Sequence, residues 1–334
     1  MKRKALVLTS GGLDSILTMK ILEREGIEPV GVHFITWFNI PKYRLCEDFG
    51  AEEEFLGFRL LNVNLSEEYT PILLNPRYGY GSGANPCIDC KILFFKKAEE
   101  LARETGADFV ASGEVVGQRP MSQSSNIMRL IEKKSGLQGR LLRPLSAKLL
   151  DETIPERERW VKREQLYAVS GRGRKVQMEL ARQFGIERYP VPAGGCILTE
   201  KNFFVRFKEL VEHKRATKTD DLFILRYGRQ FRLPGGCKLV VGRHKEENEF
   251  LQRLTWGNLE IDATAVPGPY SVMEWDGSVG EIRQALRIVV RYSDTLPSAS
   301  EETVVLLIDF AGRRRCIPFS NSATQQQIES TLIR

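Results

Sequence analysis

The sequence predicts an α/β protein: a parallel sheet covered by helices on both faces, followed by a smaller α+β domain. Three observations predict it. Strand and helix patterns alternate from residue 5 to residue 112, as parallel sheets with crossover helices require. A glycine-rich turn, Ser10-Gly11-Gly12-Leu13-Asp14-Ser15, joins the first strand to the first helix. Beyond residue 200 the alternation stops, and helices and strands follow one another without βαβ order. The boundary is set there, giving domains 1–200 and 201–325. A length of 334 residues suits two domains, at roughly 150 residues each.

The elements follow in order. Residues 5–8 are a short apolar strand, and Gly11 and Gly12 turn the chain. Asp14 or Ser15 then caps a helix whose Ile16, Met19 and Leu22 recur at helical spacing. Gly26 ends it, and residues 29–34 read as the next strand. Residues 52–57 are expected to be helical, 58–63 a strand, 92–105 a longer helix ended by Gly106, and 108–112 a strand. In the second domain the pattern predicts helices at 203–213, 246–254 and 279–292. Strands are expected at 222–227, 238–241 and 304–310, with a tight turn at Pro234-Gly235-Gly236.

Composition narrows the partners. Charged residues make up 28% and hydrophobic ones 42%, which fits a globular chain rather than a disordered one. No apolar run reaches the roughly 18 residues of a membrane span. The basic start MKRK is followed by no signal-peptide apolar region. A cytoplasmic protein with no membrane association is expected. The net charge of +6 is unevenly spread: residues 101–250 hold 29 basic against 19 acidic side chains, while both flanks are slightly acidic. That concentration points to a polyanion such as nucleic acid, the plain alternative being a solvated basic surface.

The turn at Ser10–Ser15 is suited to phosphate. Paired glycines let backbone N–H groups approach an anion, and the helix start adds its dipole. The serine hydroxyls add donors, and Asp14 is positioned to hold a magnesium ion on the phosphates. An ordinary strand–turn–helix connection is the alternative. The motif SGGxDS resembles that of the PP-loop ATP pyrophosphatases, which have an adenine nucleotide alpha hydrolase-like, Rossmann-like fold. The resemblance implies cleavage of ATP between the α and β phosphates, with AMP transferred to a carbonyl oxygen. By it, Ser10, Gly11, Gly12, Asp14 and Ser15 bind ATP with Mg2+, and Phe34 lies near the adenine.

A narrower resemblance follows. Ser112-Gly113-Glu114, Gly117-Gln118 and Ser122-Gln123 are similar to the SGE, GQ and SQ of tRNA 4-thiouridine synthases, and Leu142-Arg143-Pro144-Leu145 to their LRPL. This adds Gly113 and Gln118 to the nucleotide site. Asn85-Pro86-Cys87 with Cys90 is similar to the NPC and second cysteine of tRNA 2-thiouridylases. The domains that precede the loop in 4-thiouridine synthases are not found here, and the 2-thiouridylase pattern around its second cysteine is missing.

Of the six cysteines, Cys46, Cys237 and Cys316 stand alone. Cys87 and Cys90 form a CxxC in a loop closed by Pro86, ahead of a helix expected to start near Lys91. Replacing a carbonyl oxygen by sulfur needs an activated oxygen and a sulfur nucleophile. An ordinary thiol is mostly protonated at neutral pH, and a helix N-terminus favours the thiolate. Cys196 follows Ala193-Gly194-Gly195. Some PP-loop thiolation enzymes hold a 4Fe–4S cluster on a CxxC and one distant cysteine, and by that resemblance Cys87, Cys90 and Cys196 are both catalytic, with Asp14, and metal-binding. A Cys87–Cys196 persulfide pair, a zinc site completed by one of His33, His213 and His244, and purely structural cysteines are the alternatives.

Residues 228–248 resemble the NFACT-R (DUF814) RNA-binding domain in their turn, their strand ending in VGR and their Asn248, as does the later Arg291-Tyr292-Ser293. Arg226, Arg229, Arg232, Lys238, Arg243 and Lys245 cluster near turns, where cations reach phosphates. Tyr227 and Phe231 are interleaved to stack on bases, or else are core. Arg313–Arg315 is a second basic run with no role assigned. The reading is an ATP-dependent tRNA sulfurtransferase, its partners tRNA and a sulfur donor, either a cysteine desulfurase or inorganic sulfide. A PP-loop amide-forming ligase and a non-catalytic ATP-binding RNA or ribosome-associated factor are the rivals.

Overall fold

The computed structural model describes residues 2–187, 189, 195–214, 217–254, 256–263, 267–294, 303–309, 313–319 and 323–333. Two compact units divide the chain: Met1–Ile40 with Leu45–Cys196, and Pro41–Arg44 with Ile197–Arg334.

The first unit runs β1 (Lys4–Leu8), α1 (Leu13–Arg24), β2 (Glu28–Ile35), β3 (Glu52–Phe55), β4 (Phe58–Asn64), α2 (Ser66–Leu74), α3 (Cys87–Thr105), β5 (Phe109–Ser112), α4 (Ser125–Ser135), β6 (Leu141–Leu142), α5 (Ile154–Arg157) and α6 (Lys175–Gln183). Its sheet has the order β3-β4-β2-β1-β5-β6 and is parallel except at β3. Alternate residues of β1 serve opposite faces, as the strand period of two demands. Ala5 and Val7 join α1 residues Leu13, Leu17 and Leu22 in one core. Leu6 joins Phe95, Ala98 and Ala102 of α3 in another. From β1 the chain goes first to β2 on one side and later to β5 on the other. That reversal opens a crevice at the carboxyl ends of β1 and β5, the usual ligand position in such sheets.

Three expectations fail here, the first being the cap of α1: the helix starts at Leu13, so its N-cap is Gly12, without a side-chain cap, and not Asp14 or Ser15. Residues 52–55 form strand β3, not a helix, because Leu56 and Gly57 both take positive φ (52° and 81°) and close a two-residue hairpin onto β4. Three glutamates in a row read as helix formers, and the turn overrides them. Helix α3 begins at Cys87, five residues before its expected start, so both CxxC cysteines are helical.

The second unit contains α7 (Lys201–His213), α8 (Thr219–Phe223), β7 (Arg229–Arg232), β8 (Lys238–Val241), α9 (Lys245–Leu251), β9 (Leu259–Ala263), β10 (Ser271–Glu274), α10 (Val279–Arg291), β11 (Thr303–Asp309), β12 (Arg314–Phe319), α11 (Gln325–Thr331) and β13 (Leu332–Ile333). The antiparallel sheet has the order β12-β11-β9-β10-β8-β7-β13. Helix α10 turns Ala285, Leu286, Ile288 and Val289 into a core with Phe231, Leu239 and Ile261. The strand expected at 222–227 is instead helical, α8 continuing into a 3-10 turn at Ile224–Arg226. Asp221 fixes that start: its carboxylate accepts from the Lys218 N–H (2.8 Å) and from Trp256 Nε1 (3.1 Å). Phe310, the last residue of another expected strand, lies outside the described residues.

Candidate active site

The loop after β1 is braced from within. Gly11 takes φ +74°, and Gly12 is the extended N-cap of α1. Thr9 Oγ1 accepts from the Gly11 N–H (3.3 Å) and donates to Ser15 Oγ (3.0 Å), which donates to the Gly12 carbonyl (2.7 Å). Ser15 is therefore occupied in holding the loop's shape, while Ser10 is exposed. The Ser15 N–H is taken by the Gly12 carbonyl (3.0 Å), which leaves the N–H groups of Leu13 and Asp14, at the very start of α1, to face an anion.

Gly113, just past β5, presses on this loop. A Cβ there would lie 2.5 Å from the Asp14 carbonyl carbon and oxygen, so glycine is required. Gln118 Nε2 donates to Asp14 Oδ2 at 3.0 Å, and Gly117 N–H binds the Gln123 carbonyl at 2.7 Å to hold the intervening turn. Asp14 Oδ1 is buried without a hydrogen-bond partner. Ser10, Gly11, Gly12, Asp14, Ser15, Gly113 and Gln118 thus form one cluster. Phe34 is apart from it, 4% exposed in β2 with its ring 5.3 Å from that of Phe94.

Glu114, next to Gly113, starts a buried charge chain. It meets Lys91 Nζ at 3.1 Å and accepts from Arg143 Nε at 2.9 Å, and Arg143 also pairs with Glu132. Glu114 and Arg143 are 4% and 1% exposed. Burial alone would raise the Glu114 carboxyl, but Lys91 and Arg143 hold it below its usual value. This chain ties the loop to α3 beside Cys90. Glu114 and Arg143 both stood in motifs legible in the sequence, yet nothing there paired them.

Cys87 opens α3 and Cys90 lies one turn on. Asn85 Nδ2 donates to Cys87 Sγ at 3.1 Å. Its amide is oriented by Gly83, whose N–H donates to Asn85 Oδ1 at 2.9 Å. Gly81 is packed so closely that a Cβ would stand 2.4 Å from Asn85 Nδ2. Cys90 is half-buried, and its sulfur is hydrogen-bonded to the Tyr69 hydroxyl. Burial pushes its thiol up to about 12, Lys91 drawing it down and Cys196 and Cys87 pushing it further up. Fully buried Tyr69 feels all three cysteines. Cys87, Cys90 and Cys196 therefore converge, with Tyr69 among them, a residue that carried no sequence signal. Among the described residues no three His, Cys, Asp or Glu side chains form a metal-ligand set. The histidines have partners of their own: His33 faces Asn62 and Phe49, His213 faces Glu209, and His244 faces Glu246 and Tyr43. Ala193 and Gly194 lie outside the described residues.

In the second unit the cations near the turns are largely spent on internal partners. Arg232 and fully buried Lys238 share Glu209, and Arg243 pairs with Glu247 (2.6 Å). Arg229 lies over the Tyr292 ring, and Lys245 is 3.8 Å from Glu249. Tyr227 and Phe231 are 1% and 0% exposed; they are core and present no face to a base.

The fold is an α/β unit with a glycine-rich loop after its first strand, followed by an antiparallel α+β unit. Residues 3–165 match the family described as tRNA methyl transferase HUP domain, and residues 228–330 the NFACT protein RNA binding domain. Each match covers less than half of the chain. It is 33% identical over 122 residues to the tRNA-specific 2-thiouridylase MnmA of Sulfurimonas denitrificans, covering 35% of this chain and 36% of that one. With the enzyme of the same name from Streptococcus equi subsp. equi it shares 25% over 215 residues, 60% of this chain and 54% of that one. The chain spans between about a third and about half of these relatives' length. A solved 4-thiouridine synthetase–RNA complex with bound ATP is 22% identical, covering 55% of this chain and 50% of that one. Its TM-score of 0.32 is too low to bear on function.

Proposed function

We propose that the protein is an ATP-dependent tRNA sulfurtransferase. The observation that carries the reading is the convergence of Cys87, Cys90 and Cys196 in the unit that holds the SGGLDS loop, with Lys91–Glu114 linking the two. Residues 1–200 would perform the chemistry and residues 201–325 hold the RNA, in the cytoplasm where tRNA and a sulfur donor (a cysteine desulfurase or inorganic sulfide) are at hand. Ser10, Gly11, Gly12, Ser15, Gly113 and Gln118 shape the ATP site, with Phe34 in the strand behind the adenine. Asp14 Oδ1, buried and unpartnered, is the atom left for Mg2+.

The uridine carbonyl oxygen attacks the α-phosphorus, the bond to the β-phosphate breaks, and pyrophosphate leaves. On this route the donor is a cysteine desulfurase: Cys87 thiolate takes the outer sulfur of the desulfurase persulfide, and the desulfurase thiol leaves. The outer sulfur of the Cys87 persulfide then attacks the activated carbon and AMP departs. Cys196 thiolate attacks the inner sulfur, forming a Cys87–Cys196 disulfide and freeing the thiocarbonyl; an external dithiol reduces the disulfide. Asn85 supports Cys87 as the sulfur carrier, because its amide is locked as a donor toward that atom.

A second reading is favoured by Cys90, which a two-cysteine route leaves idle. Cys87, Cys90 and Cys196 would hold a 4Fe–4S cluster, which supplies sulfide without a persulfide. Three converging thiols suit it in kind, but the described side chains form no metal-ligand set, so the thiol route is preferred. One anaerobic preparation tests both levels. Pyrophosphate release from ATP should require tRNA and vanish in Asp14→Ala, and the protein should be colourless and iron-free. Release without tRNA, or none at all, contradicts the enzyme; stoichiometric iron lost in Cys87→Ala replaces the persulfide by the cluster.

A further inference from the structure

We infer that the second unit grips RNA phosphates with the exposed edge of its sheet at Arg314 and Arg315, not with the turn-rich segment around residues 226–245. The inference rests on the RNA-binding reading of this unit and specifies its surface. Cations bind phosphate only if their charge is not already neutralised. Around the turns it is: Arg232 and Lys238 meet Glu209, and Arg243 meets Glu247. Arg206 donates to the backbone carbonyls of Leu225 and Gly228.

Strand β12 is different. Among the described residues it is the outer strand of the sheet, paired on one side only, to β11. Residues 313–316 are all exposed, so both faces of the strand are uncovered where it begins. Arg314 and Arg315 lie opposite Ile308 and Leu307 in the register, not opposite an acid. Neither makes an ion pair among the described residues. Successive strand residues point to opposite faces, so the two guanidiniums flank the edge and leave its open backbone N–H groups between them. Such an edge fits a phosphate backbone running along it. The competing explanation is that arginines at a strand edge prevent pairing with another chain.

The test uses the full chain, without ATP, so that it stands apart from any thiolation activity. Binding of unmodified bulk tRNA is measured across a salt series for wild type and for the double variant Arg314→Ala/Arg315→Ala. Losing two phosphate contacts should lower the slope of log affinity against log salt by about two and weaken binding about tenfold or more at low salt. Exposed Cys316, next on the strand, gives a readout that needs no arginine variant: tRNA should protect it from alkylation by iodoacetamide in the wild type. An unchanged slope, or Cys316 alkylated equally fast with saturating tRNA, overturns the inference. Self-association of the double variant with tRNA binding intact would make the arginines guards of the edge.

Discussion

At the residue scale, the site depends on donors and acceptors that have no second choice. Asn85 cannot turn its amide, because Gly83 N–H occupies Oδ1 and Gly81 leaves no room. Its Nδ2 is therefore committed to Cys87 Sγ, and a hydrogen bond contributes about 0.5–1.5 kcal/mol net. Asn85→Ala should keep tRNA-dependent pyrophosphate release and slow sulfur incorporation by up to about tenfold. Asn85→Asp, which offers no donor when ionised, should not rescue it. Wild-type sulfur incorporation by Asn85→Ala would remove Cys87 from the carrier role. Residue chemistry in the loop was legible because SGGxDS is compact in sequence. The Glu114–Arg143–Lys91 chain was not, since its members are far apart along the chain and only β5, β6 and α3 bring them together.

At the element scale, what could be read depended on periodicity. Strand β1 and helix α1, with their apolar spacing and glycine punctuation, were plain. Strand β3 was not, because its glutamates argue for helix and only the positive φ values of Leu56 and Gly57 make the hairpin. The start of α3 was hidden by Pro86, which reads as loop and serves as the N-cap. Strand β8 carries a further surprise in Lys238, which has no exposed surface. Burial pushes its ammonium down to about 8, with Glu209 pulling it up and Arg232 down. In the unfolded chain the group titrates near 10.5. Between these values the unfolded state binds the extra proton, so this lysine makes stability rise with pH from about 8 to about 10.5. Replacing it should remove that rise: urea unfolding of Lys238→Met should show a flatter pH dependence than wild type over this window. Parallel profiles would contradict the buried charge.

At the scale of the whole molecule, the basic excess of residues 101–250 does not by itself mark where a polyanion binds. Several of its cations are taken up by acids of the same segment, Arg143 and Arg163 in the first unit and Arg232, Lys238 and Arg243 in the second, which leaves the excess unchanged but takes these side chains out of reach of a phosphate. Net charge along the sequence counts cations without their partners, and partners are set by the fold. That is why the excess pointed to a polyanion but not to where it binds. Among the described residues no helix is long and apolar enough to cross a membrane. The central claim is that one unit both activates a tRNA carbonyl and supplies the sulfur. Nucleoside mass spectrometry of unmodified bulk tRNA, incubated with the full chain, ATP, Mg2+, a cysteine desulfurase with cysteine, and a dithiol, tests it most directly. A thiolated nucleoside should appear with the wild type and be absent with Cys87→Ala. Pyrophosphate release with no thiolated nucleoside, or a thiolated nucleoside undiminished in Cys87→Ala, would contradict the account.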